Sequence, residues 1–75
     1  MNIEVVQDKR RPESNVWVRD SDRGIGKVFV LEAGCVVGRH TTNYEGGRSE
    51  ATIDRQTFLK MRQAAIMEFR RRHMI

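Results

Sequence analysis

The sequence predicts an α+β fold in which a small antiparallel β-sheet of three or four strands packs against one C-terminal amphipathic α-helix. Two patterns indicate this fold. Short β-branched segments that alternate with period two occupy the first half, and a long segment with helical periodicity occupies the end. Because a chain of 75 residues buries one core at most, residues 1–75 are predicted to form a single domain.

Four segments are predicted to be strands, at about residues 3–6, 16–19, 27–32 and 35–42. The third contains the run Val28–Leu31, which is apolar on both faces, so a central position in the sheet is expected. In the second strand Trp17 alternates with two valines. The small number of aromatic residues favours packing of Trp17 in the core.

A helix is predicted over about residues 54–73. Asp54 is suited to be its N-cap, and Ile53 and Phe58 occupy the two positions of a hydrophobic staple. Six apolar residues share one arc that is expected to face the sheet, namely Phe58, Leu59, Met61, Ala65, Ile66 and Phe69. The opposite arc is expected to meet solvent or a partner, and it contains Gln56, Lys60, Gln63, Met67, Arg70 and Arg71.

Positive charge is concentrated near the end of the chain. Residues 1–54 carry eight Lys or Arg against nine Asp or Glu, whereas residues 55–75 carry six against Glu68 alone. Such asymmetry predicts a partner of negative charge, which is either nucleic acid or an acidic protein. No membrane partner is predicted.

The run Arg70–Arg72 is a candidate for phosphate contacts, because guanidinium groups bind phosphates bidentately. The helix macrodipole also favours cations in a last turn, which is an alternative explanation. The leading hypothesis is a non-catalytic nucleic-acid-binding or DNA-associated regulatory protein, with predicted contacts at Lys9, Arg10, Arg11, Lys60, Arg70, Arg71 and Arg72. The alternative is a protein-binding inhibitor or adaptor, for example of phage type, that docks on an acidic partner. Replacement of Arg70–Arg72 by alanine is expected to leave the fold nearly intact.

A homodimer is predicted, because so short a chain without a disulfide or a metal has little stability of its own. One helix covers one sheet face only, so apolar surface on the other face or at an edge remains to be buried. Arg62 falls inside the apolar arc, where it either reaches water or a strand carboxylate such as Glu32, or joins a subunit interface. Met67 and Tyr44 are further candidates for an interface.

Catalytic, metal and cofactor sites are not predicted. Cys35 is the single cysteine and lies in a valine-rich segment, so a buried and unreactive thiol is expected. His40 would point to the opposite face of the same strand, which leaves Cys35 without a base. No spacing of His, Cys, Asp or Glu resembles a ligand set, and no small-molecule substrate is predicted.

A soluble, cytoplasmic protein is expected. No run of residues approaches the ~20 apolar positions that a transmembrane helix needs. The first six residues lack the apolar core of a signal peptide. A single cysteine also agrees with a reducing compartment.

Overall fold

The described part of the chain forms an antiparallel sheet of five strands with one helix. The computed structural model describes residues 2–7, 14–45 and 49–75. Its elements are β1 (Ile3–Val6), β2 (Asn15–Asp20), β3 (Ile25–Glu32), β4 (Cys35–Asn43), β5 (Ser49–Glu50) and α1 (Arg55–Arg71). The strands follow one another in the sheet in chain order, so β3 is central, as predicted. The predicted α+β fold class is confirmed, and the two-residue strand β5 extends the sheet at one edge.

A backbone hydrogen bond and a glycine close the turn between β2 and β3. The backbone N–H of Gly24 donates to the Asp20 carbonyl at 3.0 Å, and Gly24 has a φ of +68°, which glycine tolerates. Gly26 lies inside β3, where a Cβ would overlap the indole ring of Trp17. This second glycine is therefore required by a close approach within the sheet and not by the turn.

The register between β3 and β4 shifts between Lys27 and Phe29, where β4 contains one extra residue. Such a bulge interrupts the hydrogen-bond ladder and bends the strand. The Lys27 amine donates to the Arg39 carbonyl at 2.9 Å and to the Thr41 hydroxyl at 2.7 Å beside the bulge. Its nitrogen also lies 5.7 Å from the centroid of the Phe58 ring, so Lys27 is held on the helix side of the sheet.

The core lies between the sheet and α1. Its buried apolar residues come from three strands and the helix, and they are Val16, Val18, Phe29, Val36, Met61, Ala65 and Phe69. The predicted apolar arc is wrong for Leu59, which is 46% exposed. The buried stripe of α1 is instead rotated toward two polar residues, Thr57 and Glu68. Both are tolerated there because each has hydrogen-bond partners at its buried position.

Local hydrogen bonds and backbone angles explain where α1 begins and where it ends. Asp54 is the N-cap, as predicted, and its carboxylate accepts from the Thr57 backbone N–H at 3.3 Å and from the Thr57 hydroxyl at 2.5 Å. The Arg23 guanidinium donates to both side chains at 3.1 Å and ties the β2–β3 turn to the helix. The helix ends at Arg71, earlier than predicted, and His73 beyond it has a left-handed φ of +58°. Among the described residues no helix is long and apolar enough to cross a bilayer.

Candidate functional site

The surface of α1 that points away from the sheet is exposed and basic. All residues of the predicted solvent arc are exposed, and they define the helix outer face: Gln56, Lys60, Gln63, Met67, Arg70 and Arg71. Lys60 and Arg70 are ten positions apart, which corresponds to roughly 15 Å along a helix axis. Arg55 adds a further exposed cation in the first turn.

The three C-terminal arginines have different surroundings. Arg70 is exposed on the helix outer face. Arg71 donates to Glu68 at 2.6 and 2.8 Å, but its side chain remains 64% exposed. Arg72 is only 21% exposed, because it donates to Glu68 at 2.8 Å and to the Asn15 carbonyl at 3.0 Å. The expectation that this run is dispensable for the fold therefore does not fit Arg72, which connects the end of α1 to the start of β2.

Glu68 is the only acidic residue of α1, and it is turned inward. Its side chain is 7% exposed and accepts from Arg71, Arg72 and, at 3.5 Å, the Gln7 amide. These residues form the Glu68 cluster. No role for Glu68 is predicted from the sequence, although its spacing of three and four residues from Arg71 and Arg72 indicates such pairing. The carboxylate therefore offsets the charge of Arg71 on the helix outer face, whereas Lys60 and Arg70 have no acidic residue of α1 as a partner in this cluster.

The fold is expected to lose stability as the pH falls from about 4 to about 2. The pKa of Glu68 is lowered to about 2, first by its hydrogen bonds from Arg71 and against the opposing effect of burial. The pKa of Asp54 is also lowered to about 2, first by the Thr57 hydroxyl. A carboxyl with a lowered folded-state pKa stabilises the fold above its unfolded pKa of about 4, and this contribution is lost as the group protonates.

Urea melts at neutral pH and near pH ~2.5 test this expectation. The Glu68→Gln variant cannot titrate at this position, so it should lose less stability than the parent over the same interval. An equal loss in both proteins would contradict a role for Glu68 in the pH dependence.

The second face of the sheet carries a group of apolar side chains. Among the described residues, no helix or strand covers this side, whereas α1 packs on the other. Residues opposite each other in an antiparallel ladder share a face, so the register assigns this uncovered sheet face to Val6, Trp17, Val28, Val30 and Val37, with Tyr44 beyond the end of β4. All six are half-buried.

Trp17 and Tyr44 form an aromatic pair on the uncovered sheet face. Their ring centroids are 5.9 Å apart, and the rings meet edge to face at 77°. The indole of Trp17 lies over Gly26, which leaves room for it on the strand. The prediction that Trp17 packs in the core is therefore wrong, because its neighbours Val16 and Val18 occupy the helix side.

Ion pairs lie at two diagonally opposite corners of the uncovered sheet face. Arg19 pairs with Glu4 at 2.5 Å across β1 and β2. Arg39 in β4 pairs with Glu32, which is the last residue of β3. In both pairs the side chains are between 37% and 47% exposed, so the pairs form a solvated rim around the apolar centre. Each corner carries one positive and one negative charge.

The remaining predicted contacts do not form one surface. Lys9, Arg10 and Arg11 lie outside the described residues. Arg62 donates to the Val36 carbonyl at 3.2 Å, and its predicted partner Glu32 pairs with Arg39 instead. Met67 is 61% exposed on the helix outer face, whereas Tyr44 lies on the uncovered sheet face. The two are therefore on opposite sides of the sheet and cannot share one contact region.

The described residues offer no group of side chains suited to metal binding, and their one cysteine is exposed. Residues 2–7, 14–45 and 49–75 contain no group of three or more His, Cys, Asp or Glu side chains that could hold a metal ion. Cys35 is exposed, so the prediction of a buried thiol is wrong, because the residue begins β4 directly after the β3–β4 turn. No protein-family model, curated protein or solved structure matches this chain.

Proposed function

We propose that this chain is a non-catalytic nucleic-acid-binding module of the cytoplasm that places its helix outer face against a phosphate backbone. The observation that carries the proposal is the separation of charge on α1. Lys60 and Arg70 are exposed on one side, whereas the single carboxylate of the helix is buried in the Glu68 cluster, where it pairs with Arg71 and Arg72. A surface with cations and no anion attracts polyanions and releases their counterions on binding.

The dimensions of the helix outer face suit a duplex groove. A major groove is about 12 Å wide. Lys60 and Arg70 are roughly 15 Å apart along the helix, so they can reach phosphates on both sides of the groove. Gln56 and Gln63 lie on the same face. Their amides can donate and accept at base edges between the charged contacts.

The segment with Lys9, Arg10 and Arg11 is included in the proposed footprint. Gln7, before this segment, donates to Glu68, and Asn15, after it, accepts from Arg72. Gln7 and Asn15 therefore both lie beside the C-terminal end of α1, where Arg70 is exposed. Lys9, Arg10 and Arg11 themselves lie outside the described residues.

The change Lys60→Ala is expected to weaken nucleic-acid binding and to make it less dependent on salt. Loss of one phosphate contact should reduce the slope of log affinity against log salt by about 0.9 for a duplex. Arg70→Ala should have the same effect. Fluorescence anisotropy with labelled duplex DNA, single-stranded DNA and RNA, each over a salt series, measures both quantities.

Arg39→Ala is the matched control, because it removes one exposed cation from the opposite side of the sheet. This variant should keep the slope of the parent. The absence of binding to all three nucleic acids at low salt would overturn the proposal. Recovery of one acidic protein from lysate, without nucleic acid, would support the alternative of an inhibitor or adaptor that uses the same face.

A further inference from the structure

We infer that the uncovered sheet face binds a second copy of this chain, face to face, to form a symmetric dimer with both helices on the outside. The inference does not depend on nucleic-acid binding, because it concerns the other side of the sheet. It rests on the residue types of this face, on the arrangement of its charges and on its size.

The residue types are those of an interface centre surrounded by a polar rim. Four valines and the Trp17–Tyr44 pair form the apolar part of the face. Tryptophan and tyrosine are enriched in the buried centres of protein interfaces, where they contribute a large part of the binding energy. Trp17 is also held in place by its packing over Gly26, so little of its freedom remains to be lost on association.

The charges of the rim are complementary to themselves. The Arg19–Glu4 and Arg39–Glu32 pairs lie at opposite ends of one diagonal of the face. A twofold axis along either diagonal brings an ion pair of one copy against an ion pair of the other. Each arginine can then approach a carboxylate of the partner copy, so the same patch on both copies can be complementary to itself, as an isologous contact requires. Neither a polyanion nor a strongly acidic protein is favoured by a face with balanced charge.

A second copy approaches most easily through this face. The chain carries a formal net charge of +4, and the exposed cations of the helix outer face repel each other between copies. Four strands about 4.8 Å apart and about six residues long give a footprint of roughly 400 Å² before side-chain relief is added. Two such footprints amount to about 800 Å² in total, which is smaller than a standard interface of about 1,600 Å², so we expect a weak dimer with a dissociation constant in the micromolar range or above.

Sedimentation equilibrium from micromolar to submillimolar concentration, in reducing buffer because Cys35 is exposed, tests the dimer. The chain has one tryptophan, so iodide quenching of Trp17 fluorescence reports directly on this face. The parent should dimerise, and its quenching should decrease over the same concentration range. Val30→Glu places two carboxylates in the dimer interface and should raise the dissociation constant at least about thirtyfold.

Met67→Glu is the matched control, because it introduces the same charge on the helix outer face. It should dimerise like the parent while binding nucleic acid more weakly, whereas Val30→Glu should lose the dimer and keep contact through the helix. A monomer at all concentrations would overturn the inference, as would a dimer in which Trp17 remains fully accessible to iodide. If circular dichroism shows that Val30→Glu is unfolded, the parent alone tests the inference. A decrease in its iodide quenching over the concentration range of dimerisation supports the inference, and unchanged quenching overturns it. A folded Val30→Glu protein that dimerises as tightly as the parent would place the contact elsewhere.

Discussion

The change Phe69→Ala is expected to lower the free energy of unfolding by about 3–5 kcal/mol, the typical loss for a fully buried phenylalanine. Phe69 is 0% exposed and lies between the last turns of α1 and the sheet. A domain of 75 residues has a total stability of roughly 4–11 kcal/mol, so the loss would remove a large part of it. Urea denaturation followed by circular dichroism measures the change.

Phe58→Ala provides the comparison. Phe58 contacts Phe29 with ring centroids 6.0 Å apart, but it lies at the edge of the core and is only half-buried. Its removal should therefore cost less than the removal of Phe69. A loss below about 1 kcal/mol for Phe69→Ala would show that the helix packs on the sheet through different residues.

Arg72→Ala is expected to destabilise the fold by roughly 2–3 kcal/mol, although the residue belongs to a basic run at the end of the helix. The change removes the hydrogen bond to the Asn15 carbonyl and one of the two guanidinium groups that contact Glu68. Glu68 then remains buried with one guanidinium group fewer to offset the cost of removing its carboxylate from water. Arg70→Ala is the control, and it should change the stability by less than about 0.5 kcal/mol because Arg70 is exposed.

A double-mutant cycle separates the ion pair from the rest of the effect. When Glu68 is already replaced by glutamine, Arg72→Ala should cost distinctly less than in the parent. Equal costs in the two backgrounds would show that Arg72 acts only through its backbone contact with β2. Measurement of Arg70→Ala in both backgrounds controls for the loss of one charge from the helix.

Signals that are local in the sequence predicted much of the fold. Asp54 caps the helix because it stands three residues before Thr57, and this arrangement can be recognised without a tertiary structure. The central position of β3 follows in the same way from the apolar run Val28–Leu31. Such features depend on neighbours a few residues away, which a sequence pattern contains.

Features that depend on distant partners were predicted poorly. Alternation in β2 separates Trp17 from Val16 and Val18, but it does not say which of the two faces the helix covers. That choice depends on Gly26, which makes room for the indole across the strand pair. Similarly, burial of Glu68 depends on Gln7 and on the start of β2 as well as on the nearby arginines. The wrong prediction for Trp17 and the unpredicted burial of Glu68 therefore both concern the contact of the helix with the sheet.

Because α1 covers one side of the sheet only, its cations and the Trp17–Tyr44 pair point in opposite directions. A dimer joined through the uncovered sheet face would consist of four layers, in the order helix, sheet, sheet and helix. With layers about 10 Å apart, the two helices would be separated by roughly 30 Å and would face away from each other. Such a particle would not clamp a single straight duplex. It would act as a bivalent bridge between two nucleic-acid segments, whose strength depends on the effective concentration of the second segment once the first is bound.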